Sequence, residues 1–450
     1  MPTDPAAALA QHVAATRFSD LPASTVDATR QDLHDTLGCA LGGSGAPGIP
    51  ELLKLYRSWR GAPEARLLLA GGGLPAPQAA FMHAAMAHAL DYDDTYDAGG
   101  SIHPGASVLG AALATADLCG GVSGQELILA AALGLDVSCR IARAATVDRG
   151  WHRTSTIGVF GATAVAGKLL GLSAGQLHQA FGIALSAAAG SRQCILDGAL
   201  TKRFQAGQGA SAGLIAALLA ADGFTGAIDV FGGRFGFYEL YQPNGYDLAP
   251  LTEALGSRFM GEEVSFKPYP CGRPLHAGID AALALHEALE LGPDTPIAEV
   301  TLAGAPALIA GYSEGAPQKR RPTQIVEAQF AFPFLIATAL LTGRVGIDEV
   351  ARFDDPRILA LSDRVAGIAA EGPVTVSVRL ADGRSMSHSV RVARGAPANP
   401  LSPDQRAAKF HDCAAHAVRP LPAATEDAVL QVLARLETEP DARRILDLLA

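Results

Sequence analysis

Charge and aromatic rings are both scarce in this chain: 18% of its 450 residues are charged and 6% are aromatic, against 49% hydrophobic. That balance suits a large, well-buried core. Alanine and glycine dominate the apolar fraction. Side chains that small let helices pack closely, so a tight helical assembly is expected. There is no basic excess; a formal net charge of −10 argues against nonspecific binding to nucleic acid or to an anionic membrane. The six cysteines, Cys39, Cys119, Cys139, Cys194, Cys271 and Cys413, contain no C-x-x-C pair. Their scatter fits free thiols in a reducing compartment and gives no zinc or iron–sulfur signature. The opening MPTDPAAALAQHVA lacks a basic region followed by an apolar one, so no signal peptide is expected. No uninterrupted apolar run is read as long enough to span a bilayer. These absences lead to the expectation of a soluble, cytoplasmic protein. Also missing are a G-x-G-x-x-G or P-loop in the right context, an H-E-x-x-H pair and a recognisable nucleophile elbow of the G-x-S-x-G type. No internal repeat or low-complexity linker divides the chain.

What the chain does contain is a dense succession of helical patterns. Residues 24–41 read as the first long helix, capped by Ser24 and ended by Gly42-Gly43. Residues 61–74 hold a short apolar piece, a strand or an extended crossover. Helical spacing then recurs over 76–90, 104–119, 124–145, 156–170, 174–190 and 208–222. Many of these runs are apolar nearly all round, which marks buried helices. The composition shifts after Met260. Residues 298–304 look like a strand, and 373–380 and 386–393 alternate, with Asp382-Gly383 between them as a hairpin signal. Helical runs over 274–290 and 323–342 lie among these strands, so the segment reads as a small α+β unit. From Ser402 the chain is helical again over 404–413, 426–437 and 441–449. Helices that short need a large apolar partner, so the tail is expected to return to the first domain. At 450 residues two domains are the natural expectation. The fold class is mainly α, with an all-helical domain of residues 1–262 and 400–450 and an α+β domain of residues 263–399.

The densest polar feature runs from His83 to Ser107. Four carboxylates, Asp91, Asp93, Asp94 and Asp97, fall within seven residues, flanked by His83, His88 and His103. Gly99-Gly100 and Pro104 make this segment a loop between two helices. Isolated aspartates commonly cap solvated turns. Carboxylates crowded between apolar runs repel one another and are costly to bury, so this loop is a candidate site. Four other places stand out. Trp151-His152-Arg153-Thr154-Ser155-Thr156 precedes an apolar run, where a helix N-terminus and His152 together suit an anion. Lys202 and Arg203 are adjacent cations in a long apolar stretch. Residues 266–276 are stiffened by proline and display Lys267, Tyr269, Arg273 and His276. Lys319-Arg320-Arg321 reads as a solvated charge run. Cationic groups around histidine suit an anionic, polycarboxylate substrate. Removing a proton beside a carboxylate builds up negative charge; lysine and arginine offset it, and histidine moves the proton.

Six segments in order carry a resemblance to a known family: HALDYDDTYD…HPGAS (88–107), WHRTSTIGVFGA (151–162), TKRFQAGQGASAGL (201–214), FKPYPCGRPLHAGID (266–280), EAQFAFPF (327–334) and KFHDCA (409–414). The chain resembles the MmgE/PrpD family over nearly its whole length. That family contains 2-methylcitrate dehydratase, cis-aconitate decarboxylase and iminodisuccinate epimerase. The resemblance implies a large helical domain with a smaller inserted α+β lid, an active site in the cleft, a homodimer, and a lyase without metal or other cofactor. By position, His103, His152, Lys202 and Lys267 match the family's catalytic groups. Asp91 and Thr95 match its acidic-loop site residues, and Tyr312 matches a lid tyrosine. Arg203, Arg273 and His276 complete the expected substrate-binding set. The chain departs from the pattern at Gln205, where the family often has histidine. Glutamine hydrogen-bonds but does not shuttle protons. The loop between Thr95 and His103 also departs in length from some members. A 2-methylcitrate dehydratase-like reaction leads, with decarboxylation or epimerisation in the same pocket as alternatives.

Two rival readings stay open. Asp93-Asp94-Thr95-Tyr96-Asp97 fits the D-D-x-x-D pattern of magnesium-dependent terpenoid synthases. The few aromatics, the lack of a second acidic motif and the strand-bearing segment 298–393 speak against it. The other rival is a catalytically inactive, carboxylate-binding family member, on account of Gln205.

Overall fold

Small side chains and well-placed caps set the architecture of the computed structural model, which describes residues 4–450. The first half is a stack of helices: α1 (Pro5–Ala15), α2 (Ala23–Gly43), α3 (Ala76–Ala87), α4 (Pro104–Leu118), α5 (Gly124–Ala144), α6 (Gly158–Leu169), α7 (Ala174–Leu185) and α8 (Thr201–Ala221). Ser123 and Ser173 start α5 and α7 with capping boxes closed by Glu126 and Gln176. Glycine and alanine set the helix spacing. A Cβ at Gly110 of α4 would lie 2.6 Å from the Ala80 carbonyl of α3, and one at Gly213 of α8 would lie 2.7 Å from the Val159 carbonyl of α6. Neither contact admits a larger residue without the helices moving apart.

The second apolar core gathers around α9 (His276–Ala288), β1 (Ile297–Gly304), α10 (Phe332–Thr342), β2 (Val365–Ala369), β3 (Val374–Leu380) and β4 (Ser385–Val390). Strand order is β2-β1-β3-β4, with β1 and β2 parallel and the other pairs antiparallel. Val300 pairs with Val365 on one side and Val378 on the other. The helices cover one face of this sheet, while β4 is largely exposed. The tail then forms α11 (Pro403–Ala415), α12 (Ala423–Ala434) and α13 (Arg444–Leu449). Its Phe410, Val429, Leu433 and Ile445 belong to the first core.

Several elements differ from the sequence expectation. Helix α1 is additional, started by Asp4 accepting from Ala6 N–H. The run 174–190 stops at Leu185 and turns toward the site through Gly190, at φ +136°. Helix α8 begins at Thr201 rather than 208, because Lys202 and Arg203 are buried on its first turn instead of lying in a loop. With those seven added residues, about two turns, α8 reaches the length and hydropathy of a bilayer-crossing helix, yet it packs on α3, α4, α6 and α7. The run 323–342 splits into Ile325–Ala328 and α10, whose first turn holds Pro333. Strand β2 was invisible in the sequence because Gly367 interrupts a short piece with no alternation. Residues 61–74 give a two-residue pairing of Ala65–Arg66 with Gly73–Leu74. The string Gly171-Leu172-Ser173-Ala174-Gly175 does match G-x-S-x-G, but it joins two helices and Ser173 Oγ is spent capping α7.

Candidate active site

The acidic loop leaves α3 at His88 and enters α4 at Pro104. Asp91 sits in the left-handed region at φ +52°, a conformation that aspartate tolerates but that persists only where its surroundings hold it. Lys267 does the holding. Its Nζ donates to the Asp91 carbonyl at 2.9 Å and to Asp91 Oδ1 at 2.7 Å. Lys202 Nζ, from the first turn of α8, donates to the same Oδ1 at 3.3 Å. Burial alone would raise the Asp91 carboxyl; the two ammonium groups outweigh it and keep it well below the usual range. Asp91 Oδ2 is buried and has no partner among the described residues.

Three imidazoles line the same space. His88 stacks against His152 with ring centres 5.4 Å apart and lies 4.8 Å from His103. Their partners fix their protons. His88 Nδ1 is 2.6 Å from Asp93 Oδ2, and its Nε2 accepts from Lys202 Nζ at 2.7 Å. His103 Nδ1 is 2.6 Å from the Asp94 carbonyl, which only accepts, so Nδ1 carries the hydrogen. His152 Nδ1 is 2.8 Å from Gln205 Oε1. Each ring thus spends Nδ1–H on an acceptor and keeps Nε2 unprotonated. Burial, reinforced by the lysines, pushes all three imidazoles well below the ordinary histidine range, so they are neutral. Burial also lowers the Lys202 ammonium, against the pull of Asp91 and Asp93. In the resting site the protons available to a ligand are therefore on lysine, and the open lone pairs are those of His103 and His152, since His88 Nε2 is taken by Lys202.

On the other side of the loop, Asp94 caps α4. Both its oxygens accept from Gly105 N–H, at 3.1 and 3.0 Å. A Cβ at Gly105 would lie 2.4 Å from Thr36 Oγ1 and 2.8 Å from Asp32 Oδ1, so only glycine lets the chain approach this cap. Asp32 of α2 is fully buried and faces Asp94. Burial and the neighbouring carboxyls push Asp94 well up and Asp32 up to about 7. Asp32 has no other donor among the described residues; two carboxyl groups bond only when one keeps its proton. Nearby, Lys409 Nζ joins Asp35 Oδ1 at 2.6 Å and the Tyr92 carbonyl at 2.7 Å.

The other candidates are placed as follows. Thr95 is tied to Ser265 by backbone pairing, and its hydroxyl donates to Asp97 at 3.4 Å. Arg273 pairs with Asp97 at 3.1 Å and reaches His276 Nδ1 at 3.4 Å. His276 itself leans on the Cys271 carbonyl at 3.3 Å. Arg203 turns back to the Pro47 carbonyl at 2.8 Å. Tyr312 stacks on Phe330, whose ring lies 5.9 Å from Lys202 Nζ, so it meets the cluster at one remove. Lys319 lies over the Tyr312 ring at 5.6 Å, half-buried rather than fully solvated.

Asp91, Lys202, Lys267, His103 and His152 thus come together with two residues the sequence did not single out as site groups, His88 and Asp93. The available signal was the i, i+5 spacing of histidine and aspartate across a helix end, which places both on the turn that Lys202 meets. His88, Asp93 and His103 also bring donor atoms within 4.8 Å of one another. Both imidazoles, however, already spend Nδ1 on a carboxylate or carbonyl. The cluster is buried. The cleft of about 720 Å³ lined by Asp280, His286, Glu290 and His388 includes none of these groups.

Comparison with known proteins finds one family over both parts of the chain. The MmgE/PrpD N-terminal domain matches residues 7–248 and the MmgE/PrpD C-terminal domain matches residues 269–435. The cis-aconitate decarboxylase-like protein oryM of Aspergillus oryzae is 28% identical over 370 residues, 77% of this chain and 76% of its own. The cis-aconitate decarboxylase of Aspergillus terreus is 25% identical over 405 residues, 84% of this chain and 82% of its own. That of Mus musculus is 26% identical over 456 residues, 94% of this chain and 88% of its own. Matched in both parts and in the same order, the chain belongs to the MmgE/PrpD family.

Proposed function

We propose that this protein is a lyase acting on a small di- or tricarboxylate, with decarboxylation of a cis-aconitate-type substrate as the first reading. The observation that carries it is the pair of ammonium groups on Asp91 beside three neutral imidazoles. The names of the relatives support loss of carbon dioxide. In that reaction the bond to one carboxylate breaks and its electron pair spreads into the neighbouring unsaturated acid. Lys202 and Lys267 face the growing charge. Lys202, with its lowered pKa, returns a proton to carbon and is recharged from solvent. A second reading is dehydration of a 2-methylcitrate-type substrate. The open Nε2 atoms of His103 and His152 favour it, since either can take the proton next to a carboxylate while Lys202 protonates the leaving hydroxyl. The side chains of Lys267, Lys202 and His103 are 0%, 5% and 9% exposed. In this reading residues 263–399 act as a movable lid that admits the substrate.

Incubating the purified protein, with and without chelator treatment, with cis-aconitate, 2-methylcitrate, citrate and iminodisuccinate tests this reading. The expected result is turnover of one of them. Lys202→Ala and His103→Ala should each lose about a hundred- to ten-thousand-fold in rate with an unchanged circular dichroism spectrum. Wild-type rates in both variants would remove the assignment. Tight binding of a tricarboxylate with no turnover of any of the four would leave a carboxylate-binding protein.

A further inference from the structure

We infer that Gln205 is the positioning residue that sets His152 up as a proton acceptor, by locking the tautomer that leaves Nε2 bare. The inference rests on reading the Asp91 pocket as a proton-transfer site. The geometry leaves the amide one orientation. Gln205 Nε2 donates to the Ser191 carbonyl at 3.1 Å and approaches Cys194 Sγ at 3.7 Å. A carbonyl accepts and never donates, so the amide nitrogen must face Ser191 and Oε1 must face His152. An acceptor 2.8 Å from Nδ1 places the imidazole hydrogen there. Nε2 is then left as a lone pair toward the pocket.

The same short segment clamps both partners. His152 N–H donates to the Gly190 carbonyl at 3.2 Å, one residue before the carbonyl that holds Gln205. Gly190 adopts φ +136°, and a Cβ there would lie 3.0 Å from Gln205 Oε1. A side chain at position 190 would be strained by its backbone and would crowd this contact.

The charge balance explains why an uncharged acceptor matters. The titratable groups facing His152 are Lys202 from α8, His88 from the end of α3 and Asp91 from the loop. Burial, Lys202 and His88 act against an imidazolium; the Gln205 hydrogen bond and Asp91 act for it, and the first set wins. A carboxylate in place of the amide would accept the same hydrogen bond and add a negative charge, tilting His152 toward the protonated form. Such a ring would have no lone pair to offer.

Side-chain ¹⁵N spectra of histidine-labelled protein test this, with His152→Asn used to assign the resonances. The wild type is expected to show His152 with a protonated Nδ1, a bare Nε2 and no titration near the free-imidazole value of about 6.5. Gln205→Glu, nearly identical in shape, should keep that tautomer and move the His152 titration upward by about one to three pH units. The low-pH limb of kcat should move with it. Gln205→Leu should populate both tautomers and cut kcat by about ten- to a hundred-fold, leaving KM within about twofold. A wild-type His152 protonated on Nε2 would overturn the inference. So would an unshifted titration in Gln205→Glu, which stands as a test even where the leucine variant fails to fold. The spectra are read without substrate, so they decide the tautomer whether or not any carboxylate is turned over.

Discussion

Asp91 and Asp94 stand three residues apart on one buried turn, and their surroundings treat them in opposite ways. Asp91 meets two lysines and stays ionised well below the usual carboxyl range. Asp94 is pushed well above it by burial and by Asp32, against the pull of the Gly105 amide. Burial acts on both in the same direction. What differs is which elements arrive opposite: α8 and the segment carrying Lys267 on one side, α2 on the other. A buried carboxylate is therefore a reactive centre or a proton-sharing cap according to its nearest cation.

Removing that cation should give the largest effect. Lys267→Met strips Asp91 of its shortest ion pair and of the clamp on its left-handed backbone. We expect a loss of about 3–5 kcal/mol in urea unfolding together with loss of activity below detection. Retained activity would show that the two lysines are not jointly required. Lys409→Met should come next, with a stability loss near the lower end of that range, about 3 kcal/mol. Asp35, already raised by burial against the pull of Lys409, can take up a proton there and limit the damage. Activity should fall by less than about tenfold, because Lys409 faces Asp35 and Tyr92 rather than the imidazoles. A collapse as complete as that of Lys267→Met would erase the distinction between the two sides of the turn.

The smallest effect concerns proton sharing. Asp32 has a folded pKa above its ordinary value, so the native protein holds a proton that the unfolded chain releases. Its contribution is fully present below the ordinary value of 3.8 and is lost as pH rises toward about 7. Asp32→Asn supplies a permanent N–H donor to Asp94 and should remove this decline. Relative to wild type, the variant should gain about 1–3 kcal/mol at pH 8 and little at pH 4. Parallel stability–pH curves for the two proteins would argue against a shared proton.

Much of this was legible in the chain itself. Helical spacing and caps located the main helices, and the acidic loop announced itself by four carboxylates between apolar runs. Gln205 also stood out, though only as a missing proton shuttle. Its role as an acceptor depends on the Ser191 carbonyl, which no local pattern reveals. The split between Asp91 and Asp94 was equally hidden, since both are aspartates on one turn and their partners come from remote positions. His88 was noticed beside the acids, as a reason to suspect the loop, but was not assigned a role of its own, since its contact with Lys202 comes from a remote position. Lys202 and Arg203 stood out as adjacent cations in an apolar stretch, but the helix was expected to start only at 208; their burial extends α8 by about two turns.

The two ammonium groups on Asp91 have different origins. Lys202 rides on a helix of the first core, while Lys267 falls between Phe266, packed on that core, and Tyr269, the start of the second. The aspartate is thus a three-way knot tying loop, helix and junction together. Prise the halves apart and one cation departs with its own half, leaving an unbalanced carboxylate and a slackened turn. Reactivity in this fold would exist only while the seam is shut, so that an open molecule is also a disarmed one.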